Sequence, residues 1–273
     1  MNKLKRQLLA GPYLVWIIGF IVLPLIMILY YAFVDETGRF TLSNLSTITS
    51  PINTHAMVLS LELGVAATVI CLLLAYPLAM ILNNLKIKNQ SLVVFIFMLP
   101  MWMNFLLRIL AWKLLLNKNG VLNTLLMSLG LEPVMILNTP AAVVFGMVYE
   151  YLPFMILPIY NSMARIKKDY IEAAHDLGAN EITIFFKIII PLTLSGIISG
   201  IVMVFVPALT TFVISTILGG SKILLIGNVI EQEFTQASNW NLGSGLSIVL
   251  MIFIIISMII SAILDKDGEG TLL

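Results

Sequence analysis

The chain is built from long apolar runs separated by short polar segments. A membrane-spanning helix needs about 20 mostly apolar residues, because the hydrocarbon core is roughly 30 Å thick. Six runs are long enough, and together they predict an all-α protein with six transmembrane helices. They extend from Gly11 to Val34, Met57 to Leu82, Ser91 to Trp112, Pro140 to Ala164, Leu192 to Leu218 and Ser244 to Leu264.

The first run follows a basic start, Lys3, Lys5 and Arg6, which is also how a secretory signal peptide begins. Its apolar stretch is roughly twice as long as the apolar region of a signal peptide, and no small-x-small cleavage site closes it. We therefore expect a retained first helix.

Composition supports a membrane protein. Of the 273 residues, 60% are hydrophobic and 11% are charged, whereas a soluble domain has about 25% charged residues. A net charge of +1 gives no support to polyanion binding. The single cysteine, Cys71, excludes an internal disulfide, a zinc cluster built on cysteines and a redox pair.

Basic residues predict the orientation, since lysine and arginine are retained on the cytoplasmic side. With both termini in the cytoplasm, ten basic residues lie inside and four outside, and Arg108 lies within a span. The inside set is Lys3, Lys5, Arg6, Lys86, Lys88, Arg165, Lys167, Lys168, Lys187 and Lys266. The outside set is Arg39, Lys113, Lys118 and Lys222.

Prolines interrupt the runs and should bend or break the helices. Such breaks are tolerated in lipid where neighbouring helices or a wet cavity satisfy the freed carbonyl groups, so the prolines indicate either a pathway or simple packing kinks. They are Pro24, Pro77, Pro100, Pro153, Pro158 and Pro207.

In the fifth run, small residues recur every four positions and predict a face for close helix packing. These are Ser195, Gly196, Ser199 and Gly200.

The longest cytoplasmic segment, residues 165–191, has a helical pattern. Asp169 is expected to cap a helix, with Glu172 three residues later as in a capping box. Gly178 suits the left-handed position after its C-terminus. A second short helix should follow, with Ile182, Phe185 and Phe186 on one face and Lys187 nearby. Taken alone, the pattern also fits an amphipathic helix on the inner membrane surface.

Several fixed positions in this segment resemble the EAA signature of ABC-importer permeases. They are Glu172, Ala173, Ala174, Gly178, Ile188, Ile190 and Pro191, with Ile190 in place of the usual leucine. The resemblance extends over nearly the whole chain. Residues 152–155, 188–193 and 224–230 look like the permeases of bacterial spermidine/putrescine importers.

This resemblance implies a type I (MetI-like) permease, a single domain over residues 1–273, in the bacterial inner membrane. It also implies three partners: a second, C-type permease, a dimer of cytoplasmic ATP-binding cassette subunits and an extracytoplasmic polyamine-binding protein. The 165–191 loop would be the coupling helix seated in a groove of the ATPase, with Glu172, Ala173, Ala174, Gly178, Ile182, Phe185 and Pro191 at the contact. No GxxxxGK[ST] sequence occurs, so ATP and Mg²⁺ are expected at the partner ATPase, and no cofactor on this chain.

Ionisable residues inside spans are costly and usually face a cavity, which makes Glu150 a candidate contact for a cationic substrate. Tyr149 beside it could add a cation–π contact. The alternative is an interhelical ion pair between Glu150 and Arg108. Further candidates along the path are Glu62, Trp102, Asn104, Thr210 and Phe212. The related permeases commonly carry an acid where this chain has Thr216.

Enzymatic chemistry has little support. His55 and His175 lie on opposite membrane sides in the predicted topology, HExxH is absent, and no Ser-His-Asp or Cys-His set can be assembled. Together with the family resemblance, which implies the substrate, this predicts a non-catalytic permease subunit for spermidine or putrescine. The alternatives are an ABC permease for another small solute, an ion-coupled carrier acting alone, and a membrane-embedded enzyme or assembly factor.

Overall fold

The computed structural model describes residues 11–35, 37–84 and 95–264. Within these ranges the chain is helical, and extended backbone pairs only in an isolated bridge between Val34 and Phe40. The main helices are α1 (Gly11–Ala32), α2 (Pro51–Asn84), α3 (Phe105–Leu115), α4 (Val121–Ser128), α5 (Pro140–Ala164), α6 (Lys168–Asp176), α7 (Glu181–Leu192), α8 (Leu194–Thr210), α9 (Ile226–Thr235) and α10 (Trp240–Leu264). Shorter helical segments cover Ser43–Ser46, Thr47–Thr49, Phe95–Trp102, Ser215–Gly219 and Gly220–Lys222. Lys3, Lys5, Arg6, Lys86, Lys88 and Lys266, on which the predicted orientation depends, lie outside the described residues.

Four predicted spans are single long helices, and the other two are bent pairs. α1, α2, α5 and α10 are each long and apolar enough to cross a membrane. Phe95–Trp102 meets α3 at 90°, and α7 meets α8 at 62°. The fifth predicted run does not continue as one helix to Leu218, because the backbone becomes extended at Thr211 and α8 ends before it.

The prolines act differently in different helices. Pro100 precedes the 90° bend, as predicted. The other five prolines instead lie inside helices that continue through them; they are Pro24, Pro77, Pro153, Pro158 and Pro207. The predicted break at Pro153 is therefore wrong. A proline removes one helix donor, but a packed neighbouring helix can hold the backbone in helical form, and α5 packs along α8.

The chain forms two compact units. In the first, which comprises residues up to 55 and 229–255, two asparagines hold the C-terminal end of α1. The Nδ2 atoms of Asn44 and Asn241 both donate to the carbonyl oxygen of Tyr31, in the last turn of α1, at 3.3 Å each, and to that of Val34, just beyond the helix, at 2.9 and 2.5 Å. These bonds satisfy backbone acceptors that a helix end leaves without partners. One permease domain over residues 1–273 stays a prediction.

The second unit, residues 56–228 with 256 onward, contains the main core, where α5 packs along α8. The predicted small-residue face of α8 is confirmed at Gly196 and Gly200, which are buried against α5. A Cβ atom at Gly200 would lie 2.6 Å from the Sδ of Met155, and one at Gly196 would lie 2.6 Å from the carbonyl oxygen of Pro158. Close approach of the two backbones therefore depends on these glycines.

Candidate functional site

The predicted coupling segment begins with α6. Lys167 occupies its N-cap position, and Asp169 lies in the first turn. The prediction that Asp169 caps the helix is wrong, because the helix begins one residue before it. Glu172 then stands too far along for a capping box and is exposed. Asp169 instead lies where a carboxylate stabilises the positive end of the helix dipole.

Gly178 ends this helix in the predicted way. Its φ angle is +80°, in the left-handed region that favours glycine. Its N–H donates to the carbonyl oxygen of His175 at 2.8 Å, and the N–H of Ala179 donates to that of Ala174 at 3.0 Å. The paired bonds turn the chain sharply after α6. A further contact between α6 and α7 joins the Nε2 of His175 to the Oε1 of Glu181 at 3.4 Å.

The second helix, α7, starts with an asparagine cap. The Oδ1 of Asn180 accepts from the N–H of Thr183 at 2.8 Å. Ile182 and Phe186 are 69% and 61% exposed. Phe185 does not share their face as predicted. A wider π-helical turn begins at Phe185, whose ring lies against Tyr76 with 5.7 Å between ring centroids.

A groove of about 470 Å³ runs between α6 and the end of α7. Leu177, 89% exposed, stands at its rim. The groove is lined by Tyr170, Ala173, Ala174, Leu177, Lys187, Ile188, Pro191 and Leu192. The structure thus brings Ala173, Ala174 and Pro191, three of the predicted coupling residues, to one surface. Small side chains beside exposed apolar ones suit the docking of an apolar side chain from another protein.

Within the spans, Arg108 of α3 and Glu150 of α5 form an ion pair, with side chains 6% and 7% exposed. One guanidinium nitrogen of Arg108 donates to the Oε1 of Glu150. Among the described residues, neither the Nε of Arg108 nor the Oε2 of Glu150 has a hydrogen-bond partner. The interhelical pair is thus present, and the carboxylate keeps a free acceptor atom.

An aromatic cluster lies beside this pair. Trp112, one turn beyond Arg108, makes edge contacts with Phe145 and Tyr149 at centroid distances of 4.7 and 5.2 Å. The segment Ser215–Gly219 packs on both α3 and α5. Parts of the third, fourth and fifth predicted spans therefore pack on one another.

The other candidate path residues are not gathered at this pair. Trp102 and Glu62 are exposed, and Phe212 is 41% exposed. Asn104 has a structural role, since its Oδ1 accepts from the N–H of Leu107 at 3.2 Å and caps α3. The hydroxyl of Thr210 donates to the carbonyl oxygen of Val206 within its own helix at 3.1 Å. Substrate contact at these positions stays a prediction.

Asn228 has a buried side-chain amide, and the sequence did not predict a role for it. Its Oδ1 accepts from the hydroxyl of Ser215 at 2.6 Å and from the N–H of Leu225 at 3.1 Å. Its Nδ2 donates to the carbonyl oxygen of Phe212 at 3.1 Å and to the hydroxyl of Thr216 at 2.8 Å. These bonds fix the irregular segment after α8. The sequence feature that could have predicted this network is a single asparagine within the apolar stretch 224–230.

We expect Asn228→Ala to lower the stability of the folded protein by about 1–3 kcal/mol, because several buried groups lose their partners. The melting temperature of the purified protein in detergent measures this. Thr216→Ala, which removes a single exposed partner of the same amide, should have a smaller effect. Equal melting temperatures for Asn228→Ala and the parent would contradict the role of the network.

Comparison with known proteins agrees with this architecture. The crystal structure of a bacterial alginate ABC transporter in complex with a periplasmic protein bound to an alginate pentasaccharide contains a chain with a TM-score of 0.79 and 17% identity, covering 96% of this chain and 93% of that one. A chain of the MetNI methionine ABC transporter has a TM-score of 0.54 at 14% identity, covering 77% of this chain and 94% of that chain. At these identities the likeness shows the fold alone, and it confirms the predicted all-α permease fold.

Sequence relatives are closer. The spermidine/putrescine transport system permease protein PotB of Haemophilus influenzae Rd is 39% identical over 260 residues, 92% of this chain and 91% of that protein. PotB of Escherichia coli K12 is 38% identical over 266 residues, 93% and 97% of the two chains. The model of the family described as "Binding-protein-dependent transport system inner membrane component" matches residues 74–267. The chain belongs to this family of inner-membrane transport components.

Proposed function

We propose that this chain is the permease subunit of an ABC importer that carries spermidine or putrescine into the bacterial cytoplasm. The observation that carries the proposal is the 38–39% identity to PotB proteins over more than nine-tenths of both chains. A similarity over more than nine-tenths of both chains is more specific than the EAA positions, which recur in permeases for many solutes.

The partners follow from the same proposal. A second, C-type permease completes the pathway, an extracytoplasmic polyamine-binding protein delivers the substrate, and two ATP-binding cassette subunits act from the cytoplasm. Both termini and residues 165–191 lie on the cytoplasmic side, in keeping with the excess of basic residues predicted there. ATP and Mg²⁺ are used by the partner ATPase, and this chain is not catalytic.

The ATPase docks on the groove between α6 and α7. Leu177 lines the groove, and Ile182 and Phe186 of α7 are also exposed; apolar side chains of this kind favour burial against another protein. Glu172 is exposed and free to meet a basic group. Because α6 and α7 are joined by a tight turn at Gly178, a push on one helix is transmitted to α8 and hence to the spans.

The substrate-path assignment centres on Glu150. It is the eleventh residue of α5, about 15 Å from the first, and so lies near the middle of the membrane. A carboxylate beside the Trp112 and Tyr149 rings suits an ammonium group.

Reconstitution tests the function. The complete importer in lipid vesicles, with the binding protein outside and ATP inside, should accumulate labelled spermidine or putrescine. Omitting either ATP or the binding protein should reduce uptake by at least about tenfold, because ATP hydrolysis drives the transport and the binding protein supplies the substrate at a high local concentration. Uptake driven by an ion gradient without ATPase would instead identify a carrier. Uptake of a different solute alone would contradict the polyamine assignment.

A further inference from the structure

The buried ion pair has a geometry that packing alone does not explain. Arginine–carboxylate pairs are frequently bidentate, with two parallel bonds to the two carboxylate oxygens. Here one nitrogen of Arg108 contacts one oxygen of Glu150, while Oε2 and Nε are buried without partners among the described residues. Buried polar atoms without partners are costly, and inside membrane spans they commonly mark functional positions.

The surroundings allow the pair to separate. Arg108 is the fourth residue of α3, an 11-residue helix that follows a 90° bend. α3 therefore does not continue a straight span through this point. Glu150, in contrast, lies inside the long continuous helix α5. The carboxylate thus belongs to the long helix α5 and the guanidinium to the short helix α3.

We propose that Arg108 is an internal competitor for the translocated cation: it occupies the Glu150 carboxylate in the unloaded permease and yields it to an ammonium group of the substrate. The inference rests on the proposed function, import of a polyamine. The Oε2 of Glu150 has no partner of its own and can accept from an incoming N–H group, and Tyr149, the residue before Glu150, contacts the ring of Trp112.

Such competition has a physical purpose. Transport requires a site that binds its cargo well enough for it to enter and weakly enough for it to leave. An unopposed carboxylate in a low-dielectric environment would hold a multiply charged cation tightly and delay its release. With Arg108 present, part of the attraction is already satisfied, and the positive guanidinium opposes the loaded state. Arg108 therefore determines affinity and turnover without being a ligand.

The test compares single and double variants of the complete importer in nanodiscs, without the binding protein, by equilibrium binding of labelled spermidine. Arg108→Gln should lower the Kd by about tenfold or more, and Glu150→Gln should raise it by a similar factor. In the Glu150→Gln background, Arg108→Gln should have little further effect, because the carboxylate for which Arg108 competes is gone. Uptake by Arg108→Gln in vesicles should be slower at saturating substrate, since release is delayed.

Controls keep the result specific. Lys113→Gln removes a cation from the exposed face of the same helix, and Glu132→Gln removes an exposed acid; both should leave the Kd unchanged. If Arg108→Gln fails to fold, Arg108→Lys carries the test. It preserves the charge balance but gives up the guanidinium, and should lower the Kd by a smaller factor.

The outcomes separate this inference from the proposed function. If the wild-type importer neither binds nor accumulates polyamine, the proposed function fails. If the wild type does both, while the two single variants weaken binding together and the Gln/Gln variant restores it, the pair only holds the helices. That result would overturn the competitor role and leave polyamine import intact.

Discussion

An aspartate at position 178 is expected to abolish transport while leaving the permease in the membrane. Gly178 has a φ angle of +80° and lies next to Leu177, the most exposed apolar side chain at the proposed docking groove. Gly178→Asp adds a charge where an apolar contact must form, and a buried unpaired charge in an interface costs several kcal/mol. Polyamine uptake should fall by more than about tenfold, and co-purification of the ATPase should fall with it.

Two further variants separate the charge from the backbone. Gly130 has a φ angle of +75° and, like Gly178, nothing within 4 Å of an added Cβ atom. It lies after α4 in a predicted outer loop, so Gly130→Asp should leave uptake and ATPase binding unchanged. Gly178→Asn keeps the uncharged surface, since asparagine tolerates the left-handed conformation, and should retain more activity than Gly178→Asp. Wild-type uptake and ATPase co-purification in Gly178→Asp would remove the coupling assignment.

The spans were predictable because a helix in lipid must satisfy its backbone internally over a fixed thickness. α5 runs from Pro140 to Ala164, the bounds that hydropathy alone predicts. Local residues determine where α5 begins. The side chain of Thr139 accepts from the N–H of Ala142, and Pro140 occupies the first turn, where no N–H donor is needed. The left-handed Gly178 was predictable for a similar local reason.

Bends in the helices were harder to predict, because hydropathy depends on composition and carries no information about the direction of a helix axis. The proline rule succeeded at Pro100 and failed at Pro153. The difference lies in the surroundings: α5 is held along α8, whereas the chain after Pro100 changes direction at Asn104, which caps a new helix. A local preference was overridden where tertiary packing could support the helix.

The intramembrane site could be predicted only in part. Burial of charge drew attention to Arg108 and Glu150 separately, but their contact joins residues 42 apart in sequence. Periodicity carries no information about such pairs, so a substrate carboxylate and an ion pair were left as alternatives. The structure contains the pair together with a free acceptor atom, and the two readings are therefore not exclusive. Asn228 was missed because its partners come from an irregular segment.

Replacing Gly196 by alanine is expected to destabilise the permease strongly. A single Cβ at this position would lie 2.6 Å from the carbonyl oxygen of Pro158 and 2.8 Å from the Cβ of Ser162, both on α5. The oxygen belongs to the backbone and cannot rotate away, so α5 and α8 must separate. Overpacking of this kind costs typically 1–3 kcal/mol. The melting temperature in detergent should fall by roughly 5 °C or more, and Gly196→Val should yield little folded protein.

Gly64 provides the matched control, because it is also a helical glycine packed against α8. A Cβ there would lie 3.6 Å from the Cε2 of Phe205, which is ordinary van der Waals contact. Alanine is a better helix former than glycine by roughly 0.5–1 kcal/mol, so Gly64→Ala should leave the melting temperature unchanged or raise it. Replacing glycine by alanine is thus expected to destabilise the protein at Gly196 and not at Gly64. A melting temperature of Gly196→Ala as high as that of Gly64→Ala would mean that the contact between α5 and α8 is looser than described, and that Gly196 does not set their separation.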